Sequence, residues 1–261
     1  FKNHYWDNID FSDDKILRTP VFYNRINNFF NNVIVQQPDS IMVEADKLIE
    51  RARANKEMFK YVVWFITYTY ETSKIMGFDA IFVHMVEKYY MTKQCTWMSE
   101  TLLENITKRA MKLKPILLGK EAPPMIMQDT SLQLHSLYAI NAKYTVVMFW
   151  DYECSHCKVE APKMVEIYNT KKNDLNMEVF AVCTDTNMAE MKKFIRKNNM
   201  PFVNVNGPRA LTPHFAEAYD IYSTPVIYLL DEKKIIIAKR IDVDHIEDII
   251  KYNEKQKKDQ K

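Results

Sequence analysis

The chain has 261 residues, 47% of them hydrophobic, with 36 Lys and Arg against 34 Asp and Glu. That is more apolar material than one core usually needs, so two domains are expected, and the balanced charge gives no reason to invoke nucleic acid. Three isolated glycines, Gly77, Gly119 and Gly207, leave no loop that could bring successive backbone amides onto a phosphate, which argues against nucleotide chemistry.

The sequence begins at Phe1 with neither an initiator Met nor a charged-then-apolar leader, which suggests a processed or trimmed protein. From about Pro20 to Leu118 the pattern is helical. Pro20 is placed to open a first helix, and Pro38–Ser40 end it and start the next. The apolar run from Tyr61 to Tyr70 is about half a bilayer span and reads as a buried, central helix. In it Tyr61, Trp64, Phe65 and Tyr68 share a face at i, i+3, i+4, i+7, with Val62, Val63 and Ile66 beside them; core packing is the expected use of this aromatic stripe. Asp79 is the expected N-cap of the next helix, with Ile81, Phe82, Met85, Val86 and Tyr89 inward and His84 a satisfied core or boundary histidine. Cys95, without metal-ligand spacing, reads as structural. The last helix starts on a Ser99 cap and stops before Pro115. About five helices make an all-α domain over residues 1–118.

Beyond Gly119 the periodicity changes, and Pro123–Pro124 mark an extended lead-in. Strands are expected over Tyr144–Trp150 and Met177–Asp185, with a helix from Cys154 to about Lys171 between them. A helix over Asn187–Asn199, a short strand over Pro201–Asn206 and a helix over Thr212–Tyr222 follow. An antiparallel pair then turns at Asp231–Lys234, and a final amphipathic helix begins at Asp244. Residues 119–261 are therefore read as an α/β domain with a mixed sheet. Its Lys-rich end is expected to be a frayed, solvated terminus.

The pair Cys154–Ser155–His156–Cys157 could be a redox dithiol, half of a zinc site or a coincidence. A zinc site would need a second Cys/His pair, and Cys95, Cys183, His135, His214 and His245 are scattered singles, so no metal and no cofactor is expected. The redox reading gains because the pair sits where a buried strand ends and a helix begins. Amide N–H groups and the helix dipole there lower the pKa of the first cysteine. Cys154 is then the exposed nucleophile and Cys157 the resolving thiol.

These residues resemble the thioredoxin-like superfamily. Trp150 lies four residues before Cys154, Pro162 lies eight after it, and Thr224–Pro225 looks like the family's cis-proline loop, which presents the Thr224 backbone to a substrate chain beside the sulfurs. The central strand and helix between Met177 and Asn206, and the lead-in from Gly119, make the pattern most similar to the TlpA/ResA-type thiol-disulfide oxidoreductases. The helical half resembles the accessory domain of Bacteroidetes-type envelope proteins, on order and composition alone. The resemblance implies an α/β thioredoxin-like domain preceded by an all-α domain, acting on cysteine-containing proteins. It implies a membrane or periplasmic redox partner and a periplasmic or membrane-anchored envelope location. Trp150 and Pro225 would shape the docking groove.

Two positions depart from the thioredoxin pattern. Met148 stands where thioredoxins place a buried aspartate, so the proton acceptor for Cys157 must be another group, and the TlpA/ResA likeness implies Glu160. A solvated carboxylate on the first helical turns is the alternative. His156, close to the Cys154 sulfur, would favour thiolate over disulfide and make the couple more oxidising, by about 30 mV for about 1.4 kcal/mol, while Glu153 and Glu160 work the other way. Cys183 reads as a small core residue.

Other functions are weighed on the same residues. Peroxiredoxins want Pro and Thr where Val147 and Asp151 stand. A binding or scaffolding role for the helical domain would leave the dithiol vestigial, which the retention of Trp150, Pro162 and Pro225 opposes. Copper delivery would want a supporting His pattern, which His214 and His245 lack.

Overall fold

Prolines and capping side chains set most helix starts in the amino-terminal half. In the computed structural model, which describes residues 2–259, the chain divides into a unit ending at Lys114 and a unit beginning at Pro115. Thr19 caps α1 (Pro20–Asn28), Pro38 opens α2 (Pro38–Ala52), Asn55 caps α3 (Lys56–Glu71) and Ser99 caps α5 (Glu100–Leu113). For α4 (Asp79–Met85) the expectation needs correction, because Asp79 is its first helical residue and Phe78 occupies the cap position without a side-chain cap bond. Phe78 is already in the αR region after the turn at Gly77, and its carbonyl accepts the Ile81 N–H, so no extended residue remains to carry a cap.

The aromatic stripe of α3 is also corrected. Of the expected stripe Phe65 is buried, but Trp64 and Tyr68 are half exposed and stack on one another with centroids 5.7 Å apart; Met58, Phe59, Val62, Val63, Ile66 and Tyr70 complete the buried face. This helix is apolar almost all round, so periodicity offers two faces. The face carrying Val62, Val63 and Ile66 is buried together with Phe59, Phe65 and Tyr70, and Trp64 and Tyr68 take the boundary. From α2, Asp46 accepts hydrogen bonds from His84 Nε2 of α4 at 3.0 Å and, in the turn that continues α4, from Tyr89 Oη at 2.7 Å and Lys88 Nζ at 2.8 Å. His84 is thus the satisfied boundary histidine.

Among the described residues of the second unit, seven strands form one sheet: β1 (Ile126–Asp129), β2 (Leu134–Ser136), β3 (Tyr144–Trp150), β4 (Met177–Cys183), β5 (Val203–Ala210), β6 (Val226–Leu230) and β7 (Ile236–Lys239). Their order is β2-β1-β5-β4-β3-β6-β7. β3 pairs parallel with β4 and antiparallel with β6, which makes the sheet mixed, and all seven of its side chains are buried, as a central strand covered on both faces requires. Helices α6 (Ser155–Leu175), α7 (Met188–Lys197) and α9 (Ile246–Asp259) follow β3, β4 and β7. The helix expected over Thr212–Tyr222 is a single turn, α8 (Phe215–Ala218), because Asp220 adopts a left-handed backbone with φ 54° and ends it. The Lys-rich end, expected to be frayed, is instead helical to Asp259 as the last turns of α9; Gln260 and Lys261 lie outside the described residues. Among the described residues no helix is long and apolar enough to cross a membrane.

Candidate functional site

The register of three elements brings the site together. β3 ends at Trp150, and the Asp151 carboxylate accepts the Glu153 N–H at 2.7 Å, turning the chain into α6 with Cys154 as its N-cap. Antiparallel pairing of Phe149 with Val226 places Pro225, the residue before β6, at the same end of the sheet. There the Thr224–Pro225 bond is cis, and the Cys154 Sγ lies 3.1 Å from the Thr224 carbonyl oxygen. Residues 70 apart in sequence therefore meet.

The two thiols differ sharply. Cys154 is half-buried, and its sulfur accepts the Cys157 N–H at 3.3 Å. Burial opposes its ionisation, but hydrogen bonds with the side chains of Thr224 and Cys157 and with the N–H groups of Cys157 and His156 outweigh it and hold the thiol below the ordinary range. Cys157 is fully buried; desolvation, aided by the neighbouring Cys154, pushes it up to about 12 even though the Asp151 N–H reaches its sulfur at 3.5 Å. Both thiols are free.

The remaining predicted residues are distributed around this pair. His156 is exposed, its backbone N–H turned to the Cys154 sulfur, and its ring makes no hydrogen bond among the described residues. Glu160 is half-buried: Oε2 accepts the Val243 N–H at 3.0 Å and Oε1 pairs with Lys163 at 3.1 Å, with no hydrogen bond to Cys157. Its oxygens face the loop after β7. Trp150 is corrected: it has no exposed surface and stacks on Phe194 with centroids 4.8 Å apart, so it cannot line a docking groove. Met148 is fully buried, Pro162 lies inside α6, and Cys183 is a buried core thiol raised to about 12 by desolvation.

One part of the site escaped the sequence reading. After β7 the Arg240 guanidinium donates to the Asp220 carboxylate at 3.0 Å and to the Asp220 carbonyl at 2.7 Å, and lies 5.0 Å from the Tyr222 ring centroid. Together with the Glu160–Val243 bond, this ties the loop after β7 to both the proline loop and α6. No spacing rule links Asp220 to Arg240; an Asp just before the proline loop and an Arg closing the hairpin after it are the available signal.

Comparison with known proteins agrees with this architecture. The AhpC/TSA family matches residues 118–239, and a family described as a domain of unknown function (DUF5106) matches residues 1–113. A thiol-disulfide oxidoreductase ResA of Bacillus cereus is 25% identical over 126 residues, 48% of this chain and 69% of that protein. A crystal structure of a domain of a possible thiol-disulfide isomerase from Cytophaga hutchinsonii is 39% identical, covering 55% of this chain and 97% of that one with a TM-score of 0.52. A thioredoxin-like protein from Bacteroides caccae, 18% identical, covers 96% of this chain and 91% of that one with a TM-score of 0.71, a likeness of fold alone. With a helical unit in front and a mixed-sheet unit matched nearly end to end by the Cytophaga domain, the chain belongs to the thioredoxin-like thiol-disulfide oxidoreductases, residues 118–239 forming its AhpC/TSA-family domain.

Proposed function

We propose that the protein exchanges disulfides with cysteine-containing protein substrates through Cys154 and Cys157. The observation that carries this is the asymmetry of the two thiols: one half-exposed and lowered, hydrogen-bonded at a helix start beside Thr224, the other buried and raised. In the reducing direction the Cys154 thiolate attacks a substrate disulfide, forming a mixed disulfide and releasing one substrate thiolate. Cys157 gives up its proton and attacks Cys154, which expels the second substrate thiolate and leaves a Cys154–Cys157 disulfide. Two electrons pass to the substrate, and a partner dithiol must return them. The reverse sequence oxidises a substrate.

The Thr224 backbone offers a hydrogen-bonding edge to an extended substrate segment, with cis-Pro225 and exposed His156 flanking it. Glu160 is assigned a positioning role, holding the Val243 loop against α6. A partner dithiol in the envelope or membrane and a location outside the cytosol belong to the same reading. A redox titration with thiol alkylation tests the reading: the Cys154–Cys157 pair should cycle as one two-electron couple. Independent alkylation of the two thiols at every potential would refute it.

A further inference from the structure

Tyr222 is the most exposed of the large apolar side chains among the described residues, at 72%. It stands two residues before Thr224, whose carbonyl oxygen is 3.1 Å from the Cys154 sulfur. A tyrosine so open to water contributes little to the protein's own core, and a polar side chain would serve solubility better. Yet this ring is held in place. The Arg240 guanidinium lies over it at 5.0 Å, and the Asp220 carboxylate that accepts from that guanidinium at 3.0 Å is 1% exposed. The Arg240 backbone N–H is anchored on the Ile227 carbonyl of β6 at 2.7 Å. A buried acid thus orients a cation, and the cation orients an aromatic ring two residues before the carbonyl that meets the nucleophilic sulfur. Arginine suits this use because its planar group stacks on rings and stays charged at every working pH.

We propose that Tyr222 is a docking platform for an aromatic or aliphatic side chain of the substrate polypeptide, within two residues of the cysteine that exchanges with Cys154. The proposal rests on the disulfide-exchange reading above and narrows its substrate class. An extended segment laid along the Thr224 backbone carries side chains to the same side at every second residue, about 7 Å apart, so a neighbour of the target cysteine falls over a ring fixed two residues upstream of Thr224. Preorientation by Arg240 reduces the ring freedom lost on contact, a condition under which one aromatic contributes strongly to recognition. The occupant is a polypeptide because the platform is continuous with the backbone edge of the proline loop.

The test compares two disulfide-linked peptides, identical except for Phe or Gly beside the target cysteine, reduced by wild-type protein, Tyr222→Ala and Tyr222→Phe. Wild-type protein should prefer the Phe peptide roughly tenfold in kcat/KM, through KM, as expected of an interface hot spot. Tyr222→Ala should bring that ratio close to one, and Tyr222→Phe should keep most of it. Equal ratios in wild type and Tyr222→Ala overturn the proposal, as does an effect of Tyr222→Ala confined to self-association in sedimentation. If the wild-type protein reduces neither peptide nor hydroxyethyl disulfide, the exchange reading itself falls, a result distinct from loss of the Phe preference alone.

Discussion

The N–H of Cys157 points at the sulfur of Cys154 across 3.3 Å, while the sulfur of Cys157 is sealed beneath it. One helical turn therefore supplies both the donor that favours a thiolate and the second thiol that can consume it. Alkylation should report this order. Ionisation of Cys154 below the ordinary thiol range, about 8.5, means that its iodoacetamide reaction rises with pH and levels off before that of an unperturbed thiol. Cys157, raised to about 12, has only about 10⁻⁵ of its population ionised at pH 7. Peptide mass mapping after brief labelling at pH 7 should find the modification on Cys154, with Cys95, Cys157 and Cys183 untouched. First labelling at Cys157 would contradict the assignment.

The dithiol, the strand before it, the proline loop and the helical first half were legible because each depends on local pattern. Cys154 follows a continuous apolar strand, and Thr224–Pro225 opens another. What the sequence hid depends on tertiary choice. Trp150 carries the right spacing for a site residue, but both faces of β3 are covered, and the ring packs on Phe194 of α7. In α3 the interval of Tyr61, Trp64, Phe65 and Tyr68 equals that of Phe59, Val62, Val63 and Ile66, and only packing against the neighbouring helices decides between them. The Asp220–Arg240–Tyr222 contacts join two loops that no periodicity relates.

Glu160 separates positioning from proton transfer. Removal of its carboxylate strips the Val243 N–H of its acceptor, and a buried unsatisfied donor costs about 1–3 kcal/mol. Glu160→Ala should lower the unfolding free energy by about 1 kcal/mol, whereas Glu160→Gln, which keeps an acceptor oxygen, should restore most of it. For a positioning residue both variants should keep the pH dependence of mixed-disulfide resolution. A shifted pH profile in Glu160→Gln with unchanged stability would instead make Glu160 the proton acceptor of Cys157.

Gly207 lies in β5 beneath α8. A Cβ built there would come within 2.4 Å of the Phe215 ring, which is 3% exposed and stacked on Phe149 at 5.8 Å and 17°. Because the ring is buried and stacked, it must shift to admit the methyl group, and Gly207→Ala should destabilise the carboxy-terminal unit by about 1–3 kcal/mol, the usual cost of overpacking. Because α8 leads into the Tyr222–Pro225 loop, the same variant should slow exchange with peptide disulfides. Unchanged urea midpoints would show that the ring relocates freely.

Asp46 should make the helical unit acid-sensitive. Burial alone would raise its pKa, but hydrogen bonds from His84, Lys88 and Tyr89 dominate and hold it at about 2, against an ordinary 3.8. For a carboxylate depressed by folding, the stabilisation is complete above the unfolded value and disappears as pH falls through the folded one. The window is therefore about pH 4 to pH 2, and the shift corresponds to about 2 kcal/mol. Asp46→Asn should cost that amount at pH 7 in urea unfolding, followed by fluorescence of the tryptophans in the helical unit, and the gap to wild type should close as pH approaches 2. A gap of the same size at every pH would mean that shape, and not charge, lets Asp46 join α2 to α4.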